Sequence, residues 1–199
     1  MHLRAPAIVV SARAHGETAV IVRLLTEEFG LVAAYVAGGR GRQLRPVVLP
    51  GNLVAADIAA KSDSQLPFAR LELTQSRGPW LAEPLPAAAI AWVTALAATV
   101  LPERHPYPAI YTAMEGLLAA ICHAPSARGW ASALAGFEAL VLRELGYGGA
   151  VERPGGDVDS VLAALNALAG PLEHYLLAGT RGDVMAARSR LIDLLDRIR

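Results

Sequence analysis

Three consecutive apolar runs ending at Ala37 alternate with polar positions, and the third empties into a loop of glycine and arginine, Gly38-Gly39-Arg40-Gly41-Arg42. A period of two is the signature of strands that bury one face. The runs are Ala7 to Ala14, Glu17 to Thr26 and Leu31 to Ala37, joined at His15-Gly16 and Phe29-Gly30. In the second run Val20, Val22 and Leu24 share one face, while Ala19, Ile21, Arg23 and Leu25 share the other. Leu53 to Ala60 and Phe68 to Thr74 supply two further strands around the polar stretch Lys61-Ser62-Asp63-Ser64-Gln65. Five short strands in about 75 residues suit a small closed barrel of the OB type, with an SH3-like barrel as the nearest competitor. Phe29 and Phe68 are expected in its core.

After Trp80 the period changes. Pro86 to Leu101 reads as an alanine-rich helix that starts on proline, and Tyr107 to His123 as a second. Ser126 is placed to cap a long third helix ending near Leu145, along which Trp130, Leu134, Phe137, Val141 and Leu145 form one apolar stripe. Gly146-Tyr147-Gly148-Gly149 ends it, because glycine suits the left-handed cap. Glu152-Arg153-Pro154-Gly155-Gly156 links to three shorter helices, Asp157–Ala169, Pro171–Ala178 and Asp183–Ile198, with Asp157 and Asp183 at capping positions. The expected architecture is therefore α+β: a five-stranded OB-type barrel over residues 1–80, then an all-helical bundle over 81–199.

Composition narrows the function. The 199 residues carry no net charge, but residues 1–80 hold nine Lys/Arg against six Asp/Glu, and the remainder nine against twelve. A phosphate-bearing partner would prefer the first part. The one cysteine, Cys122, excludes an internal disulfide and a multi-cysteine zinc site, and a reducing cytoplasm is the default compartment. The longest apolar run, Ala87 to Leu101, is shorter than the ~20 residues that span a bilayer, and no signal-peptide pattern opens the chain. No membrane partner is expected.

Arg40, Arg42 and Arg45 are spaced to meet successive phosphates, and Arg13, Arg23, Lys61, Arg70 and Arg77 extend the track. Tyr35 is placed to stack a base or to pack under the neighbouring domain. The competing reading of the arginine loop is a solvated turn. Glu17 has no second carboxylate at useful spacing, and Cys122-His123 has no neighbouring histidine. The Gly38-Gly39-Arg40-Gly41 run lacks the Lys-Ser/Thr of a phosphate-binding P-loop. No arrangement of residues points to an enzyme, and no metal or other cofactor is expected.

The chain resembles the RecO family of bacterial recombination-repair mediators. The likeness is carried by Ser11-x-Arg13…Gly16-Glu17-Thr18, by Leu24-Leu25-Thr26-Glu27-Glu28-Phe29-Gly30-Leu31-Val32, and by the Gly38-Gly39-Arg40 loop. It continues in Leu101-Pro102-Glu103-Arg104-His105-Pro106-Tyr107-Pro108, Phe137-Glu138…Leu142…Leu145-Gly146-Tyr147-Gly148, and Ala186-Ala187-Arg188-Ser189-Arg190-Leu191-Ile192-Asp193-Leu194-Leu195. The resemblance implies binding of single- and double-stranded DNA, strand annealing, and partnership with RecR and the single-strand-binding protein. The outcome would be loading of RecA onto coated strands. Arg104, Arg128 and Arg143 are the residues expected to hold an acidic partner tail. Where some relatives carry a four-cysteine zinc module, this chain has a short link without cysteine, so no zinc module is expected. Many relatives are basic along the third strand, where this chain has Leu31, Ala33 and Ala37. Two other readings stay open: a helical adaptor whose barrel contacts only proteins, and an RNA-directed OB protein.

Overall fold

The computed structural model describes residues 2–62, 65–148, 157–179 and 184–198. Two compact units divide the chain. One runs to Ala82 and takes in Leu101–Pro108; the other comprises Glu83–Val100 and the residues from Ala109 onward.

The first unit is built on five strands: β1 (His2–His15), β2 (Ala19–Thr26), β3 (Gly30–Val36), β4 (Leu53–Ala59) and β5 (Phe68–Gln75). They close into a barrel in the order β1-β2-β3-β5-β4, with β4 returning to β1. Every pairing is antiparallel except β3 with β5, which meet in parallel at Tyr35 and Phe68. This is the order and closure expected of an OB-type barrel. Alternate residues fill its interior: Val20, Val22 and Leu24 from β2, Val32, Ala34 and Val36 from β3, and Val54, Ala56 and Ile58 from β4.

β1 begins earlier than the alternation around Ala7 suggests. Its first half pairs with β4, from His2 opposite Ala59 to Ile8 opposite Leu53, and its second half pairs with β2. The halves overlap at Ile8, which pairs with both neighbours; a register shift follows between Val9 and Ser11, and the backbone of Gly51 and Asn52 bonds Val9 there. One bent strand can thus serve two neighbours. Phe29 and Phe68 are not core residues: Phe29 is 37% exposed in the β2–β3 turn and Phe68 is 63% exposed at the start of β5.

The second unit holds α1 (Pro84–Val100), α2 (Pro108–His123), α3 (Ala131–Glu144), α4 (Val158–Pro171) and α5 (Val184–Asp196). Trp130, Leu134, Phe137 and Val141 are buried along one stripe, as their spacing requires. Ser126 does not cap α3. It precedes a tight turn over Ala127–Gly129 without a side-chain capping bond, and α3 starts only after Trp130. At the other end Gly146 adopts a φ of 89°, its N–H donates to the Arg143 carbonyl, and the Tyr147 N–H donates to the Leu142 carbonyl. That pair of bonds is the Schellman motif.

Asp157 caps α4, its Oδ1 accepting from the Ser160 N–H at 2.8 Å. Pro171 is the last residue of α4 and leads into a further helical stretch of wider, π-type turns over Leu172–Leu177, close to the expected Pro171–Ala178. It has no N–H to continue the α-helical ladder. Asp183 and the link over 152–156 lie outside the described residues.

The helical core also contains charge. Glu138 on α3 and Arg188 on α5 are both buried, and the Trp92 Nε1–H of α1 donates to Glu138 Oε1 at 2.8 Å. Arg188 Nη2 also donates to the Leu165 carbonyl of α4. Four helices are pinned by one polar cluster in which Trp92, Glu138, Arg188 and the Leu165 carbonyl satisfy one another.

Candidate nucleic-acid interface

The arginine loop rests on three anchors. Gly39 lies so close to β2 that a Cβ would sit 2.4 Å from Val20 Cγ2, which brings the loop down over the start of that strand. Leu44, Val47 and Val48 turn inward onto the barrel core. Asn52, wholly buried, donates from Nδ2 to the carbonyls of Pro46 and Val47 at 2.8 and 3.0 Å, and its Oδ1 accepts from the Arg77 N–H at 2.7 Å. The sequence does not single out Asn52: an asparagine after Pro50-Gly51 reads only as a turn.

On this foundation the predicted cations separate. Arg40 is exposed but partly committed: its N–H donates to the Thr18 carbonyl, and Nη1 donates to the carbonyls of Gly16 and Glu17 at 3.1 and 3.0 Å. It ties the loop to the β1–β2 turn. Arg42 and Arg45 are exposed on the same loop. Lys61 is exposed just beyond β4. Arg23 points instead at Glu103, Nη2 to Oε1 3.3 Å, on the Leu101–Pro108 segment that runs beside β3. Arg77 leaves the track altogether, being 1% exposed. Arg70 is exposed opposite Asp57, next to Arg4 in the following register. Asp57 accepts from His2 and Arg4 at 2.7 and 2.8 Å, and these two hydrogen bonds, that of His2 foremost, hold its carboxyl below the ordinary aspartate range.

The strand register assembles a row that sequence spacing does not show. Arg13 pairs with Ile21, Ile21 with Tyr35, and Tyr35 with Phe68. Cross-strand partners share a face, so these four side chains lie across β1, β2, β3 and β5 on the barrel's outside. The Tyr35 ring meets Phe68 edge-to-face at 5.1 Å and His15 at 5.9 Å. A cation, an aliphatic and two aromatics in line form a surface of mixed charge and π character.

The three arginines expected to hold an acidic tail belong to different elements. Arg104 belongs to the barrel unit, with φ 57° and its N–H on the Leu31 carbonyl. Arg128 lines a small hollow with Val158, Val161 and Leu195. Arg143 alone of the three lines the groove between α2 and α3, about 1020 Å³ in volume and floored by small residues including Ala113, Gly116, Ala133 and Gly136.

Among the described residues no cluster of three or more His, Cys, Asp or Glu is placed to hold a metal, and no helix is long and apolar enough to cross a membrane. The position of the family's zinc module falls in 149–156, outside the described residues.

Comparison with known proteins agrees with the architecture. Residues 1–77 match the family model "Recombination protein O N terminal" and residues 84–153 match "Recombination protein O C terminal". A protein named DNA repair protein RecO from Phenylobacterium zucineum is 40% identical over 149 residues, 74% of this chain and 60% of that protein. The protein of the same name from Rhodospirillum centenum is 42% identical over 143 residues, 71% of this chain and 56% of that one. That from Paracoccus denitrificans is 35% identical over 142 residues, 71% and 57% of the two chains. The chain thus spans under two thirds of the length of these relatives. Barrel and helical unit both carry the likeness, in the same order along the chain, and on that ground the chain belongs to the RecO family.

Proposed function

We propose that the protein is a DNA repair and recombination mediator that holds DNA by its phosphates on the barrel, without reading sequence. The observation that carries this is the position of Arg42 and Arg45: exposed, on a loop whose other side is anchored by partly buried Leu44 and buried Val48 and Asn52. A cation on a fixed loop meets a polyanion with less ordering cost than one on a free loop. Arg40 extends the same rim, and Arg13, Tyr35 and Lys61 continue it across the outer face. Neutralising the phosphates of two strands lets them approach, which is the physical requirement for annealing. Nothing is turned over and no cofactor is needed. Arg23, turned toward Glu103, contributes little to this rim.

The helical unit would recruit partners. The α2–α3 groove, with small residues along its floor and Arg143 at its edge, fits a short acidic peptide ending in an aromatic residue, such as the tail of a single-strand-binding protein. RecR, and RecA indirectly, are the other partners of this reading, with a cytoplasmic setting beside the nucleoid. Fluorescence anisotropy of a labelled single-stranded oligonucleotide tests the DNA function. Binding that weakens steeply with salt is expected; no salt-sensitive binding at micromolar protein would leave only a protein-adaptor role.

A further inference from the structure

Phe68 is the most exposed large apolar side chain among the described residues, at 63%, yet it sits at a structurally committed place. Its backbone pairs with Tyr35 to close the barrel between β3 and β5, and the Tyr35 N–H donates to the neighbouring Pro67 carbonyl at 2.7 Å. Its ring is propped edge-to-face by Tyr35, which is itself met at its edge by His15. An edge-to-face pair does not cover both faces of both rings, and the exposure shows that the open surface belongs to Phe68. The ring is therefore held in place by its neighbours and open toward solvent. Along the same register row stand Ile21 and the cation Arg13, while Lys61 follows β4 two residues after Ala59, the antiparallel partner of Phe68.

Resting on the DNA-binding reading above, we infer that Phe68 is a stacking platform for an unpaired base, with Tyr35 as its prop and Arg13 and Lys61 placed for the flanking phosphates. A base inside a duplex has both faces occupied by its neighbours and offers none to a protein ring, whereas a base in a single strand offers one. The arginine rim attracts either form of DNA; the platform rewards only the single strand. Stacking does not depend on base identity, because every base has a π face. The row so gives the barrel a preference for single strands without a preference for sequence. Tyr35 becomes a positioning residue and Phe68 the contact.

The competing use of the ring is to shield the β3–β5 seam. Full-length Phe68→Ala, Phe68→Trp and a control, Phe29→Ala in the β2–β3 turn, separate the two. Affinity for a labelled single-stranded oligonucleotide and for the matching duplex is measured at one salt concentration, with thermal unfolding alongside. A single strand containing 2-aminopurine reports stacking directly by loss of its fluorescence. The expected result is a roughly tenfold loss of single-strand affinity in Phe68→Ala, unchanged duplex affinity, no 2-aminopurine quenching, and recovery of both signals in Phe68→Trp. Phe29→Ala should match the unaltered protein. If the unaltered protein binds neither probe, the DNA-binding reading itself fails. If it binds both and Phe68→Ala keeps the same single-strand to duplex ratio, the platform is overturned. A lowered melting temperature with that unchanged ratio assigns the ring to the seam.

Discussion

Arg188 and Glu138 face each other in the helical core through two hydrogen bonds, Nε to Oε1 at 2.9 Å and Nη2 to Oε2 at 2.7 Å. The guanidinium also lies 5.9 Å from the centre of the Trp92 ring. Burial pushes the Glu138 carboxyl above its ordinary range, opposed by Arg188 and by the Trp92 N–H. A buried pair of this kind holds α1, α3, α4 and α5 in register, and its value lies in completeness. Arg188→Met alone leaves the carboxyl buried without its counter-charge and should cost about 3–5 kcal/mol, whereas Arg188→Met with Glu138→Leu should recover much of that loss. Urea unfolding of the single and double variants checks the order; a single variant as stable as the double would contradict it.

Gly30 should tolerate no side chain. Its φ is 68°, and a Cβ there would lie 2.1 Å from the His105 backbone oxygen, on the segment that packs beside β3. Gly30→Ala therefore adds a backbone clash to the left-handed penalty of about 1 kcal/mol or more. The urea midpoint should fall clearly, and a change within error would mean that the Leu101–Pro108 segment moves aside without cost.

Asp157 gives a pH dependence. Hydrogen bonds from Ser160, its backbone N–H foremost, hold the Asp157 carboxyl below the ordinary aspartate range. A carboxyl with a lowered folded value binds its proton more readily in the unfolded chain. Its stabilisation is therefore complete above the ordinary aspartate value of about 3.9 and is lost as pH falls through the lower folded one. Asp157→Asn should reduce the acid sensitivity of stability in that window while retaining part of the cap. Equal acid-unfolding curves for the two proteins would contradict the assignment.

Gly136 separates stability from partner binding. It lies in α3, lines the α2–α3 groove, and a Cβ there would meet nothing within 4 Å. Gly136→Leu should stabilise α3 by up to about 1 kcal/mol through helix propensity and fill the groove at the same time. Binding of a labelled acidic peptide with a terminal phenylalanine should weaken at least tenfold in a protein that melts no lower. Undiminished peptide binding would remove the groove from the partner surface.

The barrel was legible where its pairing is local. Val20, Val22 and Leu24 alternate visibly, and β2 and β3 are joined by a short turn. The first residues of β1 were not, because their partner β4 lies some fifty residues away and Pro6 reads as a strand breaker. Phe68 was misplaced by its apolarity alone. The signal lay two and four residues on: Arg70 and Glu72 share its outer face, while Ala69 is buried. Arg77 and Arg188 were both hidden by type, since an arginine reads as surface until its surroundings are known. Among Arg104, Arg128 and Arg143 the sequence offers only a shared charge; it does not show that Arg143 lines the α2–α3 groove, Arg128 a hollow beside α4, and that Arg104 belongs to the barrel unit.

On the DNA-binding reading, Arg42 and Arg45 neutralise phosphates at the barrel rim. The salt dependence of affinity counts such contacts, falling by roughly 0.7 in the slope of log affinity against log salt for each single-strand phosphate released. Measured on one labelled single strand, the Arg42→Ala/Arg45→Ala protein should show a slope shallower by about 1.4, with the same change on unrelated sequences. A slope equal to that of the unaltered protein would place the DNA surface elsewhere.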